Sequence, residues 1–254
     1  MSALATALFT AAGAAAGLGA GALSVQLERI ERLEQEELEE RRAYETEEAE
    51  RAVAAAGTAG AAAQPLPWRP EHYGWTWLEW LSAPALCGLG FGTFAAHEGI
   101  TATLGIHLFY VVLFTHIAIF DIKHRLILNR VSYPAIVVAI ALAPLSPGLT
   151  LLNAVVGAAA VFTFFMLQST LLGDSVVGLG DAKLGAIVGA STGLGFDLDH
   201  LGALYAVIAA VITAGVVAFL LLITRVRGLK DPIPYGPFLC AGAALIIYHG
   251  PAGP

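Results

Sequence analysis

Long apolar runs alternate with short polar breaks along this chain. Crossing a bilayer takes ~20 consecutive apolar residues. Runs of that kind predict helices over roughly 3–26, 77–96, 101–120, 132–146, 150–172, 182–194, 201–224 and 235–249. A soluble core helix this long carries a polar face; residues 201–224 carry none. The fourth and sixth runs are short. Pro144 and Pro147 punctuate the turn after the fourth, and Gly193 and Gly195 loosen the end of the sixth. In the first run Gly13, Gly17 and Gly21 recur every four residues, a stripe that lets another helix approach closely. The pattern predicts an all-α polytopic membrane bundle of about eight transmembrane helices. Its parts are a first span (1–26), a polar segment (27–76) and the remaining bundle (77–254).

Composition agrees. Of 254 residues 57% are hydrophobic and 13% charged, with a mean hydropathy of +0.73. Average soluble chains carry about 25% charged residues. The formal net charge of −7 comes from one stretch, residues 28–50, with eleven glutamates and four arginines. This stretch reads as the first span continuing as a solvated helix. Residues 52–70 are rich in Ala, Gly and Pro and read as a linker. Trp68, Trp75, Trp77 and Trp80 suit a membrane-interface belt. No basic patch points to nucleic acid. Cys87 and Cys240 lie in apolar runs without zinc-site spacing and read as buried thiols.

Charge placement orients the bundle. No basic residue precedes the first run, unlike a secretory signal, so it reads as a retained span with its N-terminus outside. The cytosolic loops then carry all ten arginines, Lys123 and Lys230. Lys183 sits just inside the sixth span at the same face. The external loops hold Glu98, Asp197 and Asp199 and no basic residue, as the positive-inside rule requires.

Ionisable groups at membrane depth are functional candidates. Asp121 ends the third span and Asp181 begins the sixth, both at the cytosolic boundary. Two carboxylates sharing a site do not both ionise easily, so one keeps a proton and the two divide acid and base roles. Water-mediated peptide hydrolysis needs that division: the base activates water and the acid protonates the leaving nitrogen. Gly178 and Gly180 leave room beside Asp181 for a substrate backbone. The same Gly-x-Gly-Asp also reads as an ordinary turn, with Asp181 as the N-cap of a helix.

Four stretches together resemble the type IV prepilin peptidases, membrane aspartic peptidases of the GxGD class. They are DIKHRLILN (Asp121–Asn129), GLGDAKL (Gly178–Leu184), PYGPFL (Pro234–Leu239) and, loosely, YGWTWLE ending at Glu79. The resemblance covers about residues 73–249. It implies that Asp121 and Asp181 are a catalytic dyad. The reaction implied is removal of a short basic leader from a prepilin or pseudopilin precursor, at the cytosolic face of the plasma (inner) membrane. No metal or cofactor is implied for that step. Leu128 stands where the family has proline. Bifunctional members also carry paired CxxC motifs in a cytosolic loop and methylate the new N-terminus with S-adenosylmethionine. Residues 27–76 contain no cysteine, so S-adenosylmethionine and methylation are not expected here.

Lys123, Arg125 and Lys183 are candidate substrate contacts near the aspartates; anchoring by positive-inside charge is the default reading for Lys123 and Arg125, while Lys183 either snorkels to the interface or pairs with a carboxylate. Asp174 is a further loop acid. Glu79 reads as a structural hydrogen-bond partner. His107 and His116 are nine residues apart, or 2.5 helical turns, and so face opposite ways rather than sharing a metal. Two other classes also fit two membrane aspartates. A small transporter would place them near the midplane, often in an inverted repeat; a non-catalytic relative would serve as an assembly scaffold. The acidic segment could attract basic leaders electrostatically. Steering predicts that deleting residues 30–60 slows leader cleavage, most at low salt; unchanged cleavage at every salt concentration would leave a merely solvated helix.

Overall fold

A computed structural model describes residues 2–56, 74–172, 178–195, 200–224 and 233–250. Residues 57–70 of the expected linker, with Trp68, and Asp174, Asp197, Asp199, Arg225, Arg227 and Lys230 lie outside them; residues 52–56, expected as the start of that linker, are helical. The described residues form eight α-helices. They are α1 (Ala3–Ala56), α2 (Ala83–Glu98), α3 (Ala102–His124), α4 (Asn129–Leu142), α5 (Leu151–Leu172), α6 (Leu179–Thr192), α7 (Gly202–Ile223) and α8 (Gly236–His249). A short π-helical turn, Leu78–Ser82, leads into α2.

Four of these helices contain stretches long and apolar enough to cross a membrane: α1, α3, α5 and α7. α4 and α8 are apolar but shorter. α7 turns Leu204, Ile208, Val211, Ile212, Phe219 and Ile223 outward. An apolar surface of that extent suits lipid rather than water. The protein is a multi-pass membrane bundle.

The helices pack through small residues. α1 lies along α2, α5 along α6 and α7 along α8, while α3 packs on α8. The glycine stripe of α1 does what its spacing predicts: a Cβ at Gly17 would collide with the Ala83 carbonyl, and one at Gly13 with the Cys87 carbonyl. α5 and α6 cross glycine to glycine. A Cβ at Gly157 would strike the Gly189 carbonyl, and a Cβ at Gly189 would strike that of Gly157. Between bilayer helices the hydrophobic effect supplies little, so such close backbone packing carries much of the association.

α6 is the central helix. It is buried from Leu184 to Thr192 and touches α4, α5, α7 and α8. Its burial explains why so short an apolar run is still a helix of the bundle. The ends alternate. Glu98, Pro147, Thr192 and Gly250, which close α2, α4, α6 and α8, meet around one cavity. The last turn of α3 and the first turns of α6 and α8 meet at the other end.

Three boundaries differ from those expected. α3 runs on to His124 before Arg125, in the left-handed region at φ 51°, closes it with an N–H bond to the Asp121 carbonyl at 2.8 Å. α4 begins at Asn129, with Pro134 inside its second turn. α6 begins at Leu179, so Asp181 is its third residue rather than its N-cap.

Gly189→Leu is expected to separate α5 from α6. Overpacking costs about 1–3 kcal/mol, and here the obstacle is backbone. The expected result is a marked fall in the thermal unfolding midpoint in detergent, with Gly19→Leu, where nothing lies within 4 Å, close to wild type.

Candidate functional site: a carboxylate pair at one end of the bundle

Asp121 sits in the last turn of α3 and is 5% exposed. Its Oδ2 accepts the backbone N–H of Gly236 at 3.0 Å. Gly236 is the first residue of α8 and Pro237 the second. The proline has no N–H, and the free donor of Gly236 is directed at the aspartate. The positive end of a helix macrodipole suits a carboxylate.

Asp181 is half-buried in the first turn of α6. Its Oδ2 accepts the N–H of Gly178 at 3.2 Å, while its own N–H donates to the Gly178 carbonyl at 3.0 Å. This is the reach-back half of a capping box. Glycine at the cap offers no side-chain acceptor, so the aspartate three residues on ties down the turn.

The two aspartates are 60 positions apart in the chain, yet lie close enough for their charges to interact. Arg125 acts electrostatically on Asp121. Asp181 acts on Tyr235, whose ring lies 5.8 Å from that of Phe165. Each aspartate has one oxygen held by a backbone N–H at a helix start. Such an arrangement fixes both carboxyl groups without covering them with side-chain cations.

The glycines divide. A Cβ at Gly178 would meet only ordinary contacts, 3.8 Å from the Gly180 nitrogen and 3.9 Å from Asp181 Oδ2. A Cβ at Gly180 would lie 3.2 Å from Ile127 Cβ. Gly178 therefore leaves open space beside Asp181, and Gly180 lets the α3–α4 connection pack against α6. Gly236 is the glycine that sequence reasoning missed. A Cβ there would come within 2.5 Å of Asp121 Oδ2. Its signal was the PYGPFL stretch, which was recognised without a role for its glycine.

The basic candidates are placed differently. Lys183 donates to Asn129 Oδ1 and lies 5.4 Å from the centre of the Tyr133 ring, pinning α6 to the start of α4. Lys123 is not at the pair. Its side chain, 4% exposed, donates to Glu28 Oε1 at 2.5 Å, Glu79 Oε1 at 2.9 Å and the Gly74 carbonyl at 2.5 Å. His124 Nε2 lies 2.8 Å from the same Glu28 oxygen. Gly74, at φ +89°, also donates its N–H to Glu28 Oε2 at 2.9 Å. Thr76 closes the other oxygen of Glu79. This cluster joins α1, the entry to α2 and the last turn of α3. Farther out, Arg130 at the start of α4 pairs with Glu34 of α1.

The histidines part as their spacing predicts. His107 Nδ1 meets Glu98 Oε1 at 2.5 Å, and His116 Nδ1 meets Ser24 Oγ at 2.8 Å. Cys87 and Cys240 are buried free thiols. Trp75, Trp77 and Trp80 are exposed.

The fold and this site define a class: helical membrane proteins with a carboxylate pair gathered from two helices at one end. Residues 108–223, which include both aspartates, match the type IV leader peptidase family. The prepilin leader peptidase/N-methyltransferase of Xanthomonas campestris pv. campestris is 27% identical over 136 residues, 51% of this chain and 45% of that protein. The match thus spans less than half the length of that curated relative. No solved structure matches the chain.

Lys123→Met leaves Glu28 and Glu79 buried without their cation. Breaking a buried pair by removing one partner costs about 3–5 kcal/mol. The expected outcome is a strongly lowered unfolding midpoint. Arg130→Met, at an exposed pair worth about 0–1 kcal/mol, should leave it nearly unchanged.

Proposed function

We propose that this chain is an aspartic endopeptidase that removes the leader from prepilin-like precursors, with Asp121 and Asp181 as its acid/base pair. The observation that carries the reading is that these two carboxylates lie within electrostatic reach at one end of the bundle, inside the segment that matches the leader peptidase family. A water between them would lose a proton to the ionised aspartate and attack the scissile carbonyl. The protonated aspartate would then deliver a proton to the leaving nitrogen. Gly178 would leave space for the substrate backbone, and Arg125 would bias the charge on Asp121. Lys183 would act through Asn129 and Tyr133 on the placement of α6, and Lys123 through the last turn of α3.

In this reading eight spans cross the inner membrane with the N-terminus outside, which puts the pair at the cytosolic face. The basic residues of the described α3–α4 connection lie at the same end as the aspartates, in agreement with the positive-inside rule. The substrate is a prepilin or pseudopilin precursor whose apolar segment lies among the helices. The reaction needs no cofactor. S-adenosylmethionine is not a substrate of this chain, since residues 27–76 lack the cysteines of the bifunctional relatives. The transporter reading is weaker because both aspartates lie at one end of the bundle rather than at midspan.

Co-expression with a candidate prepilin tests the assignment. Asp121→Asn and Asp181→Asn should each abolish leader removal, read by gel shift, while the variants stay in the membrane at wild-type levels. Full cleavage by either variant would overturn it. Gly236→Ala should push Asp121 off its N–H and lower the cleavage rate by about a hundredfold, the scale of an ångström's misplacement. Mass measurement of the mature product should show an unmethylated N-terminus.

A further inference from the structure

At the end opposite the aspartates lies a cavity of about 300 Å³. Its walls come from the last turns of α2, α6 and α8, the first half of α3 and the turn after α4. Glu98, His107, Thr101, Ser191, Thr192 and Tyr248 contribute to them. Among the described residues, Glu98 is the one lining residue with a carboxylate, and no lysine or arginine lines the cavity. Glu98 Oε1 is held by His107, but Oε2 is buried and has no hydrogen-bond partner. A buried carboxylate oxygen left without a donor is unfavourable, because it gave up its water without gaining a partner. Among the described residues lining the cavity, only the histidines His97, His107 and His249 can carry positive charge; His107 is engaged with Oε1, and none of them reaches Oε2.

We propose that this cavity is a binding site for a primary ammonium group, carried either by a free small amine or by the ethanolamine headgroup of a lipid. The charge of Glu98 selects a cation. The volume is far larger than a bare ion needs, and among the described residues no three His, Cys, Asp or Glu side chains converge to hold a metal. A primary ammonium has three N–H donors. One reaches Glu98 Oε2, and the others face the hydroxyls of Thr101, Ser191 and Thr192. Tyr248 also lines the cavity, and an aromatic ring beside the site favours a cation. A quaternary ammonium has no N–H and cannot satisfy the carboxylate.

The test does not depend on peptidase activity. The full chain is reconstituted in phosphatidylcholine nanodiscs and titrated by calorimetry with ethanolamine and, separately, with choline. Ethanolamine should bind saturably, at least about tenfold more tightly than choline, a difference of one charge-assisted hydrogen bond. Glu98→Gln should weaken ethanolamine binding by a similar factor. A second arm compares unfolding midpoints in phosphatidylethanolamine and phosphatidylcholine nanodiscs. A rise with phosphatidylethanolamine that Glu98→Gln removes identifies the lipid headgroup as the source; free-amine binding without it identifies a soluble amine. The proposal is overturned if wild type responds to neither form, if choline binds as well as ethanolamine, or if Glu98→Gln keeps the response. Should Glu98→Gln fail to fold, the wild-type preference for ethanolamine over choline decides the matter.

Discussion

A bilayer offers no water to satisfy buried polar groups, so each one must find its partner inside the protein. That constraint organises this bundle. Lys123 would be untenable at the foot of α3 without Glu28 and Glu79. His116 is matched by Ser24, and Asp121 by the N–H of Gly236. Each pairing joins helices distant in sequence, so the polar contacts decide which helices are neighbours. The small residues then decide how near they come. Glycine against carbonyl at the α1–α2 and α5–α6 crossings brings the backbones into contact.

The placement of the aspartates follows from the same rule. Short connections make consecutive helices run in opposite directions. The end of the third and the start of the sixth therefore fall at one end, where the start of the eighth joins them. Helix starts expose N–H donors that nothing inside the helix can use. One such donor, from Gly236, engages Asp121, and the start of α6 turns back on Asp181. Both acids are thus oriented by backbone. Gly236 leaves no room for a side chain, because a Cβ there would occupy the aspartate's place.

Much of this was legible in the sequence. The eight apolar runs appear as eight helices among the described residues, and the glycine stripe of α1 packs as its spacing required. The boundaries were less legible, because apolar content ends before hydrogen bonding does. α3 continues past its apolar run, through Asp121, Lys123 and His124, to the left-handed Arg125. Asp181 read as an N-cap because aspartate favours that position; the helix instead starts three residues earlier, with Asp181 reaching back to Gly178. Lys123 looked like a substrate contact from its nearness to Asp121 in sequence. Two residues along a helix is more than half a turn, and its partner Glu28 lies 95 positions away. No local pattern carries that information.

The central claim is that the two aspartates drive direct attack of water on the peptide bond. It is tested most directly by cleaving a purified prepilin in oxygen-18 water containing hydroxylamine, and weighing the released leader. The account predicts one heavy oxygen in the new leader carboxylate and no leader hydroxamate. A leader hydroxamate would reveal a covalent acyl-enzyme and would contradict it.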